Sequence, residues 1–273
     1  MNRDNIETVR KHYNENARTE WARLEYNIFE FQFTTWMMDK YVRPGDSILD
    51  IGGGPGRYSI HYAKQGCAVT LAELSEGNVA LAREMAAEQG VSLAAHAVNC
   101  LELDSLALGQ FDHVFLMGPL YHLQDKNDQI EAVNIALRHL RPGGKLYVSF
   151  IPILSGMIYD LQHGGMICED AKDPRVKALL DYIEDGTDYS GDGFTDVCFH
   201  HNRSILPFME QFPVDKLHLF PQESFLGPNK VDILQRSEEE IAQWIELGKR
   251  YIEMPEFLSW GEHIMYIGQK KTT

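Results

Sequence analysis

The chain has 273 residues, 44% of them hydrophobic and 24% charged, a composition that supplies a sizeable globular core and excludes a disordered or collagen-like chain. Twenty-five Lys and Arg against forty Asp and Glu leave a net charge of −15. No Lys/Arg run exceeds Lys270-Lys271, so nucleic acid and an anionic membrane surface are both poor partners.

Apolar residues at Trp21, Leu24, Ile28, Phe31, Thr35 and Met38 fall on one helical stripe, predicting two helices before Arg43-Pro44-Gly45-Asp46 ends them. Strand-like and helix-like segments then alternate, the mark of a parallel sheet covered by helices. Strands are predicted at 47–51, 68–73, 92–98, 111–117 and 145–151, with helices at 56–65, 76–89 and 126–140 between them. Residues 152–199 break the pattern with Pro152, Gly164-Gly165, one helix at 174–184 and an acidic turn-rich stretch, Asp185 to Asp196. So long an irregular excursion reads as a lid or binding insertion. Alternation resumes with a helix at 204–212, a strand at 214–220, a helix at 238–253 and a last strand at 262–268. The expected architecture is one α/β domain: a helical cap over 1–42, a Rossmann-like core over 43–151 and 200–273, and a lid over 152–199.

The four cysteines, Cys67, Cys100, Cys168 and Cys198, form no CxxC pair, so a reducing compartment is expected. The polar opening MNRDNIETVRKHYNENARTE has no secretory h-region, and no apolar run approaches the roughly 18 residues of a membrane span. A cytoplasmic protein without membrane contact is therefore expected; oligomeric state is not legible.

The strongest local signal is Ile48-Leu49-Asp50-Ile51-Gly52-Gly53-Gly54-Pro55-Gly56-Arg57, a strand entering a glycine turn that opens a helix. Glycines allow positive φ and close approach of backbone to a ligand. Glu73, ending the second strand, suits a ribose hydroxyl pair, so a nucleoside cofactor is expected. The spacing is GxGxG where the dinucleotide fingerprint is GxGxxG, and Pro55 removes an N–H that a pyrophosphate would want. Asp50 would sit badly beside a pyrophosphate and well beside a cationic amino group. A nicotinamide-dependent oxidoreductase is thus the weaker alternative.

With these motifs the sequence resembles the class I S-adenosylmethionine-dependent methyltransferases. LDIGGGPGRYS is similar to their first motif, Glu73 to the acid ending their second strand, FDHVFLMGPLYHL to their fourth-strand motif and RPGGKLYVSF to their fifth strand. GPLYHL, with HYNENARTEWARLE and HIMYIGQKK, looks like one small-molecule branch. The resemblance implies a seven-stranded, mostly parallel Rossmann-like sheet with helices on both faces and an antiparallel last strand, binding S-adenosylmethionine. It places Asp50, Gly52, Gly54 and Gly56 at the methionine half of that cofactor, Glu73 on the ribose and Leu74 on the adenine, with Met117 alongside. Asn99 stands where an Asp is usual, so adenine selection is expected to involve Asn99 with the backbone of Cys100 and Leu101. Tyr13 would close over the methionine end and Arg23 hold its carboxylate. Aminopropyl transferases share the glycine turn, but their GGGDG and Asp-rich motifs are absent.

Methyl transfer is a displacement at a sulfonium methyl, so the chain need mainly hold the acceptor in line, with a base only for a protonated acceptor. His122 and Tyr121, just past the fourth strand, and Tyr13 are the residues placed for that chemistry, His122 serving either as base or as a loop-shaping residue. Met157, Tyr159, Leu161, Met166 and Phe194 are expected to line the lid over a small molecule. The stretch Asp188 to Asp196 lacks the final Glu of a calcium loop, and His200-His201 lacks a spaced third ligand, so no metal site is predicted. A non-catalytic cofactor-binding protein is a further alternative.

Overall fold

The computed structural model describes residues 3–164 and 172–272; Gly165, Met166 and Cys168 lie outside them. Helices α1 (Arg3–Tyr26) and α2 (Ile28–Met38) precede β1 (Ser47–Ile51), α3 (Arg57–Lys64), β2 (Ala68–Glu73), α4 (Glu76–Glu88) and β3 (Ala94–Ala97). Next come β4 (Phe111–Leu116), α5 (Lys126–Arg138), β5 (Leu140–Phe150), α6 (Ser155–His163), α7 (Pro174–Asp185), β6 (Tyr189–Asp192) and β7 (Asp196–Phe199). The chain finishes with α8 (Asn202–Met209), β8 (Val214–Pro221), α9 (Lys230–Ile233), α10 (Glu238–Tyr251) and β9 (Ile264–Lys270).

Seven strands form one sheet in the order β3-β2-β1-β4-β5-β9-β8, parallel from β3 to β5, with β9 antiparallel to both neighbours. The central strands bury both faces, as parallel strands under helices must. Leu49, Ile51, Val114 and Leu116 face one core with α5 and α8, while Ile48 and Phe115 face the other with Phe33, Met37, Tyr62 and Ile245. Between β1 and β4 the strand order reverses, opening a crevice at the carboxyl ends of the strands, where α/β folds bind ligands.

Three expectations are corrected. The chain bends at Asn27, where α1 ends, and α2 buries Phe29, Phe33 and Met37 completely instead of keeping Phe31 on a continuous stripe; the side chain of Leu24 lies outside the described residues. Helix α2 is apolar nearly all round because it is covered nearly all round. The acidic stretch before Asp196 is an antiparallel hairpin, β6 to β7, which Tyr189 and Val197 anchor in a small core of their own with Ile153. The insertion also contains α6, whose Met157, Tyr159 and Leu161 are exposed, Leu161 to 75%.

Candidate functional site

The turn after β1 is built by glycines with different physical duties. Gly52 and Gly118 are where the β1 and β4 loops touch: a Cβ on Gly52 would lie 2.6 Å from Pro119 Cδ, and one on Gly118 2.5 Å from the Gly52 carbonyl oxygen. Gly54 has φ +56°, and a Cβ there would meet nothing closer than Asn78 Nδ2 at 3.9 Å. It is the glycine whose missing side chain leaves space. Gly56, with φ +83°, would press a Cβ to 3.1 Å from Ala82 Cβ, so it serves the packing of α3 on α4 and lies outside the cleft lining.

Over this turn opens a cleft with about 1000 Å³ of empty space, its open mouth included. It brings together Tyr13, Arg23, Asp50, Gly52, Gly54, Glu73, Leu74, Asn99, Cys100, Met117, Tyr121 and His122. Leu101 is not among the lining; it packs on the sheet core. Among the described residues, the insertion lines none of the cleft either. Its roof is α1, which supplies Val9, Tyr13, Glu20 and Arg23.

Two buried carboxylates face this space. Glu73 accepts the backbone N–H of Gly54 on Oε2 (3.0 Å) and of Ser75 on Oε1 (2.9 Å), which fixes the carboxylate at the end of β2. Burial pushes its pKa up, against those hydrogen bonds. Asp50 is fully buried, with Oδ2 accepting the Ser59 hydroxyl at 2.7 Å and Oδ1 without a partner. Burial first, and the nearby Glu73 charge after it, raise the Asp50 pKa to about 7. An unpartnered buried carboxylate oxygen costs free energy until a donor reaches it. A cationic amino group is such a donor, and a pyrophosphate is the reverse.

At Asn99 a local hydrogen bond stands beside the expected adenine contact. The Asn99 side-chain oxygen accepts the Leu101 N–H at 3.0 Å and caps a 3-10 turn over Cys100–Leu106, so that oxygen is already engaged. Burial lifts the Cys100 thiol to a pKa of about 12, keeping it a neutral lining group.

At the opposite end, His122 sits on a 3-10 turn that leaves β4 through Pro119–Tyr121. Its Nδ1 is 3.1 Å from the Asp196 carbonyl of β7, which can only accept, so Nδ1 carries the proton. Nε2 therefore accepts the Tyr13 hydroxyl at 2.8 Å. Burial lowers the His122 pKa to about 4 and raises that of Tyr13 well above normal, which keeps both neutral. Phe194, at the tip of the hairpin, stacks edge-on against His122 with ring centroids 5.7 Å apart. Tyr121 donates to the Met117 carbonyl at 2.7 Å, which shapes the loop. Arg23 Nε donates to Glu20 at 3.0 Å, leaving the rest of its guanidinium toward the cleft.

Sequence reasoning missed Glu20, Glu30 and Asn78 as lining residues. Glu30 comes from a helix read only for its apolar stripe, Glu20 lies on α1 between the residues singled out there, and Asn78 is hidden in an ordinary helix start.

Residues 48–144 match the family described as methyltransferase domain. Among curated proteins it resembles the ubiquinone biosynthesis O-methyltransferase of Pseudomonas paraeruginosa, 30% identical over 116 residues (42% of this chain, 49% of that one). The Caulobacter vibrioides enzyme of the same name is 34% identical over 105 residues, 38% of this chain and 40% of that one. The chain thus spans about half the length of the curated relatives it matches. Among solved structures, magnesium protoporphyrin IX methyltransferase of Synechocystis PCC 6803, with bound S-adenosylhomocysteine, superposes over 98% of this chain and 100% of that one (TM-score 0.59, 14% identity). The 1,6-didemethyltoxoflavin-N1-methyltransferase of Burkholderia thailandensis does so over 97% and 88% (TM-score 0.60, 14% identity). At such identity these share the fold. No described helix is long and apolar enough to cross a membrane.

Proposed function

We propose that this chain binds S-adenosylmethionine and transfers its methyl group to a small-molecule acceptor bearing a removable proton. The observation that carries the reading is Asp50: a fully buried carboxylate beside the glycine turn, with one oxygen unsatisfied, inside a cleft that also holds a second buried carboxylate at the end of β2. That pair fits a ligand with an ammonium at one place and ribose hydroxyls at another. Asp50 would hold the amino group, Glu73 the ribose, Leu74 and Cys100 the adenine, and Arg23 the carboxylate. The cofactor supplies an electrophilic methyl on a sulfonium.

The chain's own contribution lies at Tyr13 and His122. Tyr13 gives its proton to His122 Nε2, so its oxygen lone pairs remain to accept a hydrogen bond from an acceptor O–H or N–H. A proton released from the acceptor can pass to Tyr13 while the Tyr13 proton moves to Nε2, and the Asp196 carbonyl holds the ring in the tautomer this needs. His122 is a weak base when empty of charge. An acceptor that has just been methylated is far more acidic than before, so a weak base suffices.

The acceptor itself is not carried over from the relatives, because the matched domain starts after α1 and α2 and stops before the insertion. The α1 roof and the net charge of −15 both favour a small molecule over a nucleic acid, and a cytoplasmic location is part of this reading. Calorimetry with S-adenosylmethionine, S-adenosylhomocysteine and NAD is the test, followed by a methyl-transfer screen over phenols, amines, thiols, tRNA and duplex DNA. One-to-one binding of the first two and methylation of a small molecule are expected. Binding of NAD alone by folded protein would overturn the reading.

A further inference from the structure

Beside Arg23, where Glu30 reaches the cleft, lies a second polar cluster that the chemistry above does not use. Glu30 of α2, Glu223 from the turn after β8 and His263 from the approach to β9 converge there, with one ligand atom of each within 4.8 Å of the others. His263 Nδ1 lies 2.9 Å from Glu223 Oε1 and 3.8 Å from Glu30 Oε2. Both carboxylates are buried, Glu30 to 6% exposure and Glu223 to 1%.

Glu30 Oε2 is enclosed and has no hydrogen bond. The nearest cation, Arg23, is 3.7 Å away, beyond hydrogen-bond reach, and its Nε is committed to Glu20 at 3.0 Å. Glu223 is held differently. Its Oε2 accepts the backbone N–H groups of Glu262 (2.9 Å) and His263 (3.2 Å), which turns Oε1 toward the imidazole. Outer hydrogen bonds that orient a carboxylate in this way are a regular feature around metal ions.

We propose that Glu30, Glu223 and His263 form a site for one divalent transition-metal ion of the Zn²⁺ or Mn²⁺ class. An ion bound at about 2.0–2.2 Å by such ligands needs them roughly 3.0–3.4 Å apart, and the 2.9 and 3.8 Å separations bracket that span. Two carboxylates and a neutral imidazole balance a double charge, the metal taking the place of the Nδ1 proton. An imidazole in the set, with no thiolate, selects zinc or manganese over calcium, magnesium or copper(I). Three protein ligands leave coordination positions open, and Glu30 also lines the cleft, so an open position can face a bound molecule. The ion would also tie together α2, the turn after β8 and the start of β9. This site does not depend on the cofactor reading, since none of its three ligands is a residue assigned to the cofactor, although Glu30 stands 3.7 Å from Arg23.

The test uses full-length protein dialysed against a chelator, then titrated separately with ZnCl₂ and MnCl₂ by calorimetry, and crystallised with each ion for anomalous diffraction. One ion per chain is expected, with affinity reduced at least 100-fold in Glu30→Gln and in His263→Gln, both checked for folding by circular dichroism. Co²⁺ should give visible absorption bands in the wild type that both variants lose. An anomalous peak between the three side chains of the wild type supports the site even if a variant fails to fold. No stoichiometric ion at 100 µM metal, or binding unchanged in both folded variants, would overturn it.

Discussion

Replacing Glu73 by glutamine changes one oxygen to an amide nitrogen and leaves volume nearly unaltered, yet the structure makes it costly. Each carboxylate oxygen already faces a backbone N–H, that of Gly54 on one side and Ser75 on the other, so whichever way the amide turns, its NH₂ meets a donor. One buried backbone N–H loses its acceptor, at about 1–3 kcal/mol of folding stability. The cofactor loses more specifically. Hydrogen bonds from hydroxyls to a charged carboxylate contribute about 1.5–3 kcal/mol, and at 1.36 kcal/mol per decade the dissociation constant for S-adenosylmethionine should rise roughly 10- to 150-fold. Calorimetry on variant protein whose circular dichroism matches the wild type reads this directly. A dissociation constant within threefold of the wild type would show that Glu73 does not face the ribose, and the site assignment would fall with it.

Asp50→Asn should bind S-adenosylmethionine at least tenfold more weakly while being no less stable than the wild type at pH 8, because it removes a charge that burial disfavours. The sign follows from the raised pKa of about 7: the folded state holds a proton the unfolded chain has released, so the stability Asp50 contributes is complete below about pH 4 and is lost as pH rises through 7. Cofactor affinity should move oppositely, strengthening from pH 6 to 7.5, and calorimetry across that range on wild type and Asp50→Asn separates the two trends. Tyr13→Phe and His122→Asn should leave cofactor affinity within threefold and lower turnover about 10²- to 10⁴-fold; with His122 depressed to about 4, the pH–rate profile should show no His122 limb near the ordinary imidazole value, and a limb near 6.5 abolished in His122→Asn would refute the burial argument. Gly54→Ala should weaken cofactor binding at least tenfold, whereas Gly56→Ala should lower the melting temperature and leave the affinity of the folded protein unchanged; equal loss of affinity in both would mean that the turn acts only through its fold.

The parts of this molecule that were legible in the sequence are those where the local pattern and the chemistry coincide. The β1 to α3 turn is recognisable within ten residues, because glycine, proline and an acid at fixed spacing leave few physical solutions, and the alternation of short apolar strands with helices dictates a buried parallel sheet. Glu73 was legible for the same reason, standing at the end of a strand whose neighbour carries the turn. The Glu30 cluster was not legible. Glu30 sits in a helix whose burial all round hides which side faces the cleft, Glu223 and His263 lie far along the chain, and only the pairing of β8 with β9 brings them opposite α2. Likewise the insertion was expected to roof the cleft with apolar side chains, yet Met157, Tyr159 and Leu161 face solvent, and what β7 delivers is a backbone carbonyl on His122 Nδ1. A carbonyl leaves no trace in residue identity, so no reading of side chains could have found it. That contact nonetheless sets the imidazole tautomer, and with it the direction in which Tyr13 points its proton: the chemistry at this end is specified by the path of the backbone.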